Sequence, residues 1–411
     1  MGIWQRGGLI PIHPMVARRD WAERLATLTK DLGDLLISRS LARAAGDLGA
    51  VATAAGLRAD ESWKYQSGRP LQDALGMYRA DVVVSSGVPR FLEFNFGTCL
   101  NGIASTSLLQ QTFLSGISVL PETTVQGRQP PTVLDARAAW AKRSLKPGQR
   151  CGVVGFAAEG DEGSLRVFDA DVQALRKAGV PSDFVPAKNA VITDAGLEHE
   201  GRVYHGVLRY FLLGSRYETA RPGFAEALES APNVRLLGAS SYEIFTSKLL
   251  LADLCCDQGL SRAERDLVSH IPWTARAIDT RVPRRGSRVE PLVWAEQNRE
   301  LAVLKPGRGA GSRGVLIGAF TPENAWRQAL DRAANEGDWV IQEQVPGDRM
   351  PVAYLDSNSD DVRTVDQPAL LGPFVVDGAY AGCYTRHTTA EAADGFLRAD
   401  RKEFSNCLLA V

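Results

Sequence analysis

Cysteine is scarce and unpatterned in this chain of 411 residues. The six, Cys99, Cys151, Cys255, Cys256, Cys383 and Cys407, form no CxxC pair and stand at no Cys/His spacing that would hold a metal. That excludes a zinc or dithiol motif and leaves buried thiols in a reducing compartment as the expectation. A bias of charge is equally missing, since 47 Lys and Arg meet 48 Asp and Glu for a net charge of −1. Bulk electrostatics therefore predict no nucleic-acid and no membrane partner, and only a local basic cleft stays open. No uninterrupted apolar run is long enough to span a bilayer, and no cationic stretch followed by an apolar signal region opens the sequence, so a cytoplasmic protein is expected. Repeats and low-complexity segments are lacking. So is any Ser/His/Asp or Cys/His arrangement for nucleophilic catalysis, and His270, with no catalytic group paired to it in sequence, reads as structural. What remains is 45% hydrophobic and 23% charged, ordinary for a globular protein with room for two or three domains.

Glycine, by contrast, is concentrated where it bears on chemistry. Leu301 to Gly318, LAVLKPGRGAGSRGVLIG, reads as strand, loop, strand. Gly307, Gly309, Gly311 and Gly314 remove the Cβ atoms that keep a backbone away from a bulky anion, and Lys305 and Arg313 bracket the loop with positive charge. Gly309, Gly311, Ser312, Arg313 and Gly314 are thus candidate contacts to a triphosphate, which a mobile cationic flap can cover and uncover. A plain glycine-rich hairpin turn with two solvated cations is the alternative. No Gly-Lys-Ser/Thr follows, so this is not a Walker loop, and no helix opens directly after it, so it is not a dinucleotide fingerprint. Thr321 to Asn335 has helical spacing with Pro322 at its start. Asp338 to Val345, DWVIQEQV, is a strand that stops at Pro346-Gly347.

The second stretch is Tyr78 to Asn95, YRADVVVSSGVPRFLEFN. Asp81 to Val84 and Phe91 to Phe96 read as antiparallel strands around a turn from Ser85 to Arg90. Alternation puts Arg79 with Asp81 on one face and Glu93 with Asn95 on one face. Paired in that register, two carboxylates, an amide oxygen and a guanidinium converge, which is hard-oxygen coordination for Mg²⁺ beside a cation for an anionic centre. A hairpin with one solvated polar face is the alternative.

The Arg-x-Asp strand followed by Glu-Phe-Asn resembles the metal-binding hairpin of ATP-grasp enzymes, and the glycine flap, helix and QEQV strand resemble their nucleotide-binding half. In most of that family the hairpin follows the flap; here it comes first, so the chain resembles the circularly permuted branch, with its glutathionylspermidine synthetase-like proteins and peptide ligases. The resemblance implies Asp81, Glu93 and Asn95 as ligands of Mg²⁺, and Arg79 beside an acyl phosphate. It implies Lys305 and Lys248, the latter in Ser247-Lys248 ahead of an apolar helix, on the phosphates of ATP. Gln342, Glu343, Gln344 and Val345 would form the hinge that reads adenine. Asn101 and Ser105, in the small-residue stretch after the metal strand, and Arg386 are candidate substrate contacts. Arg209, toward the end of the predicted strand Val207 to Tyr210, is another, with a structural ion pair as its alternative.

Taken in order, the chain divides into a helical segment over 1–60, preceded by an irregular arm to residue 18, then a metal-binding half over 61–135. A Rossmann-like α/β domain occupies 136–240, the lid with flap and hinge 241–350, and strands completing the ATP-grasp sheet 351–411. Gly33 and Gly46 are expected to break the helical stretch Trp21 to Leu57. The expected fold is α/β (α+β). The expected activity is that of an ATP-dependent carboxylate-amine ligase acting through an acyl phosphate, with Arg79, Lys305 and Arg313 as catalytic groups. Its substrates would be a small-molecule carboxylate and an amine or short peptide, as in peptide natural-product biosynthesis. A small-molecule kinase of the same fold, or a nucleotide-binding partner without turnover, is the alternative, and a homodimer stays open.

Overall fold

The computed structural model describes residues 8–66, 76–117, 129–156, 162–211, 221–309, 311–389 and 403–411. At its centre is a six-stranded sheet that gathers both ends of the chain. In spatial order its strands are Met15–Ala17, Glu403–Ala410, Ala379–Thr388, Leu370–Val376, Met77–Ser85 and Val88–Phe96. All neighbours are antiparallel except the first pair. Leu370–Val376 turns at Asp377-Gly378 into Ala379–Thr388 and pairs on its other side with Met77–Ser85, so residues after 351 add strands to this sheet in line with the sequence expectation. The N-terminal arm departs from it. Leu9–Pro11 and Met15–Ala17 are both strands, each too short for a periodic signal, and they gain their order by pairing with Arg349–Asp356 and Glu403–Ala410.

The sheet is covered on both faces, which is why Met77 to Val82 is buried without alternation. On one side lies the helix Arg19–Arg43, whose Leu25, Leu28, Leu32 and Leu36 pack on Ala80, Val82 and Phe94. On the other, Val133–Ser144 packs Leu134 and Trp140 against Met77 and Phe374. Gly33 does not break the first helix, contrary to expectation. It lies inside it, buried, where a Cβ would stand 2.6 Å from the ring of Tyr78. The helix ends instead at Ala44 to Gly46, where Ala45 and Gly46 take positive φ. Gly33→Ala should therefore lower stability by about 1–3 kcal/mol through overpacking, less the ~1 kcal/mol gained in helix propensity. A thermal midpoint at or above wild type would show that the Tyr78 ring yields freely.

Two further sheets flank this one. The first is parallel, in the order Arg235–Leu237, Gly206–Tyr210, Cys151–Gly155, Ser182–Pro186, with the helix Glu162–Lys177 crossing over. Arg202–Tyr204 does not continue it but joins a separate three-stranded meander with Val191–Thr193 and Gly196–His199. The second is antiparallel, in the order Thr274–Arg276, Trp339–Glu343, Ala302–Pro306, Leu316–Ile317, and is backed by the helix Glu323–Glu336 through Trp326, Ala329 and Ala333. Arg281 to Pro291 contains the hairpin Val282–Arg284/Ser287–Val289. The proline-rich stretch Pro121 to Pro131, ahead of the division drawn at 135/136, lies mostly outside the described residues, as does much of the tail after Thr389. Among the described residues no helix is long and apolar enough to cross a membrane, and all six cysteines are free thiols.

Candidate functional site

The hairpin Met77–Ser85/Val88–Phe96 turns through Ser86 and Gly87, both at positive φ, as a two-residue hairpin connection requires. Arg79 pairs with Asn95 and Asp81 with Glu93. A bulge follows at once, since Val82 pairs with Phe91 and leaves Leu92 over. Leu92 and Glu93 consequently both reach one cavity, which strict alternation would forbid. The turn itself is clasped from the lid: the Asp348 carboxylate accepts from the N–H groups of Ser86 at 2.8 Å and Gly87 at 2.7 Å.

That cavity, of about 370 Å³, lies between the six-stranded sheet and the antiparallel lid sheet. Of the residues expected from sequence, Asp81, Glu93, Lys248, Lys305, Gly309, Gly311, Ser312, Arg313, Gln342, Glu343, Gln344, Val345 and Arg386 line it. Hairpin and glycine loop, more than 200 residues apart, therefore face one space. No Cβ contact within 4 Å would arise at Gly309 or Gly311, so at these positions the loop presents bare backbone to open volume.

Charge is tightly balanced at the cavity's inner end. Lys248 Nζ stands 3.3 Å from Glu93 Oε2 and 3.4 Å from the Gly309 carbonyl. It opens the helix Lys248–Cys255 and is 7% exposed, so it does not extend into solvent as a surface lysine would. Burial pushes the Glu93 carboxyl up, but Lys248, Lys305 and Arg79 outweigh it and hold the group down at about 2. Lys305 is lowered to about 8, first by burial and then by Lys248, against the pull of Glu93 and Asp81. Its Nζ donates to Gln342 Oε1 at 2.7 Å. Gln342 is thus committed by its side chain: its amide nitrogen donates to the carbonyl of Leu92 at 3.1 Å and to Thr274 Oγ1 at 2.9 Å. The cavity also has an apolar lining, with Val83, Val303, Ile317, Phe320, Val345 and Leu370. Glu343 there is paired to Arg284 at 3.3 Å and Arg285 at 2.5 Å.

Other expected residues stand elsewhere. Arg79 is behind the cavity wall, 7% exposed, with Nη2 on Asp81 Oδ1 at 2.7 Å and Nη1 on the Asn101 carbonyl at 2.8 Å. Asn101 contributes that carbonyl, not a side chain facing the cavity. Asn95 donates to Asp81 Oδ1 at 3.3 Å. Gly314 fits under the Pro306 ring, 2.8 Å from where a Cβ would be. Ser105 bonds back to the carbonyl of Gly102 at 3.3 Å. Arg209 is a buried structural cation, 1% exposed, bonded to Glu243 and to the Phe211 carbonyl, so the ion-pair alternative describes it and the substrate contact does not. Sequence reading missed Arg308 and Arg349, which also line the cavity; Arg308 sits among the loop glycines and was legible there.

The donor set suits a hard cation. Among the described residues no three His, Cys, Asp or Glu converge; of the three expected oxygen ligands, Asp81 and Glu93 line the cavity and would suit a hard cation that keeps much of its water, while the Asn95 amide is turned to Asp81. The Glu93 carboxyl is held low by its cationic neighbours, and Asp81 Oδ2 accepts from Arg386 Nη2 at 3.2 Å.

No family model matches the chain, and no curated protein matches it in sequence. Its fold is that of a glutathione synthetase-like effector from Globodera pallida in the apo form. The TM-score is 0.62 and the identity 11%, over 98% of this chain and 90% of that one. A provisionally assigned gamma-glutamylcysteine synthetase from Methylobacillus flagellatus KT aligns at TM-score 0.47 and 11% identity, over 84% of this chain and 83% of its own.

Proposed function

We propose that this protein is an ATP-dependent carboxylate-amine ligase of the circularly permuted ATP-grasp type, forming an amide bond through an acyl phosphate. The observation that carries the reading is the single cavity in which Asp81 and Glu93 of the hairpin face Lys248, Lys305 and the glycine loop. The fold shared with a glutathione synthetase-like protein supports it, and the parallel sheet over 151–237 suits the Rossmann-like domain expected to precede the lid. The apolar lining from Val83, Val303 and Leu370 would take the adenine, with Gln344 and Val345. Lys248, Lys305 and Arg313 would hold the phosphates, with the loop N–H groups of Gly309, Gly311 and Ser312 beside them. Asp81, Glu93 and Asn95 would hold Mg²⁺, which when bound offsets phosphate charge and polarises the γ-phosphoryl group. Arg386, at the cavity wall, would steer the substrate carboxylate, and Arg79 would keep Asp81 in place. The carboxylate oxygen attacks the γ-phosphorus and ADP leaves; the amine then displaces phosphate from the acyl carbon. No protein nucleophile is needed, because positioning and charge neutralisation supply the catalysis.

ADP release measured with Mg²⁺, ATP and panels of amino acids and short peptides tests this. Turnover that needs both a carboxylate and an amine, with an amide product by mass, is the expected result. A stable phosphorylated product without amine would make the protein a kinase, and ATP binding without turnover on any panel would make it a binding partner.

A further inference from the structure

The helix Leu48–Ala54 reads as packing alone, yet the carbonyls at its C-terminal end are taken one after another by the lid. Ala54 accepts from Arg276 Nη2 at 2.6 Å, Ala55 from Ser247 Oγ at 2.9 Å, and Gly56 from Arg308 Nη1 at 3.2 Å. Arg276 lies on the outer lid strand, Ser247 caps the helix that begins with Lys248, and Arg308 belongs to the glycine loop. Carbonyls at a helix C-terminus lack intrahelical donors and carry the negative end of its dipole, so cationic partners suit them.

Glu61 completes the attachment. Its two oxygens take both terminal nitrogens of Arg308, at 2.6 and 2.7 Å, in a fork that fixes the guanidinium in its plane. Lys64 Nζ adds a contact at 2.7 Å and the Arg58 N–H another at 3.1 Å. The Glu61 side chain is 13%, that of Lys64 10% and that of Arg308 35% exposed, so the carboxylate is shielded while the guanidinium is partly open to solvent. Arg308 is flanked by Gly307, whose carbonyl accepts the Lys248 N–H at 2.8 Å, and Gly309, whose carbonyl accepts the Lys248 ammonium at 3.4 Å. Holding Arg308 therefore holds the loop's root against the lysine that faces Glu93.

We infer that Glu61 is a positioning residue for the nucleotide loop, acting through Arg308, and that residues 54–64 are part of the nucleotide site although Glu61 does not line its cavity. The inference rests on the ATP-binding reading above. It gives the loop a fixed half, Gly307 to Gly309, tied to the N-terminal segment.

Binding of ATP with Mg²⁺, measured by calorimetry on the full chain, tests it. Glu61→Gln removes the charge that holds Arg308 and should weaken ATP binding about tenfold, the scale of one charge-assisted bond. Once a turnover assay is in hand, the rise should appear in KM for ATP with kcat within about threefold of wild type. Glu61→Asp, which keeps the charge, should recover part of the affinity and carries the comparison should the glutamine variant fail to fold. In an Arg308→Gln background the Glu61→Gln change should have little further effect, because its route is gone. Equal affinity of wild type and Glu61→Gln, or the same loss with and without Arg308, overturns the inference. A wild-type protein that binds no ATP overturns the functional reading beneath it.

Discussion

Glu93→Gln is expected to cut ATP turnover by on the order of 10² to 10³-fold, the scale seen when one preorganised electrostatic partner is removed from a reaction centre. The substitution keeps the shape while deleting one charge and turning one acceptor oxygen into a donor. That charge has two functions. It is a carboxylate of the proposed Mg²⁺ set, and no third acidic or histidine ligand converges with Asp81 and Glu93 among the described residues to take its place. It is also the counter-charge between Lys248, at 3.3 Å, and Lys305, whose proton it helps retain against burial. With glutamine there, Lys305 keeps only the weaker pull of Asp81 against burial and Lys248, and, already lowered to about 8, loses its proton at lower pH still. The Mg²⁺ concentration needed for half-maximal rate should rise together with the loss of rate. Wild-type turnover at unchanged Mg²⁺ demand would remove the hairpin from the chemistry.

Legibility followed the range of the interactions. The hairpin was readable because strand alternation and a Ser-Gly turn are local, and its register put Arg79 opposite Asn95 and Asp81 opposite Glu93 as the spacing suggested. The bulge at Leu92, which brings Leu92 and Glu93 to the same cavity, has no local signal. Gly33 shows the converse error. Propensity alone says break, but the ring of Tyr78 needs the space a side chain would fill, and that contact spans 45 positions of sequence. The strands at Leu9–Pro11 and Met15–Ala17 were invisible because three residues carry no period and their partners lie beyond residue 348. At the site, the identities of the charged residues were readable and their directions were not. Arg209 and Arg79 both sit on strands at plausible positions, yet one is held by Glu243 outside the cavity and the other lies behind Asp81. Gln342 lines the cavity with its expected hinge neighbours, but no local pattern shows that its buried amide spans the two halves of the molecule.

That amide makes Lys305→Ala the second large effect. Lys305 is 7% exposed, and its ammonium is bonded at 2.7 Å to a carboxamide whose other end is fixed by the Leu92 carbonyl on the hairpin and by Thr274 on the outer lid strand. The charge is therefore held in place before any ligand arrives, so little entropy is lost in meeting a polyphosphate. Removing it should weaken ATP binding by roughly 10²-fold, about 3 kcal/mol, the upper range for a hydrogen bond to a charged group. Circular dichroism and the unfolding midpoint should stay near wild type, since deleting an ammonium that burial disfavours offsets the loss of the Gln342 contact. Lysine at this position also sets a pH dependence. Its proton leaves the ligand-free protein near pH 8, and a bound polyanion raises that value, so wild-type affinity for ATP should fall as pH rises through 8 and binding there should take up protons. The alanine variant should lose that pH slope along with its affinity. If affinity is low in Lys305→Ala but the slope persists, the titrating group is another one; if affinity is unchanged, the glycine loop and its lysine do not hold the nucleotide.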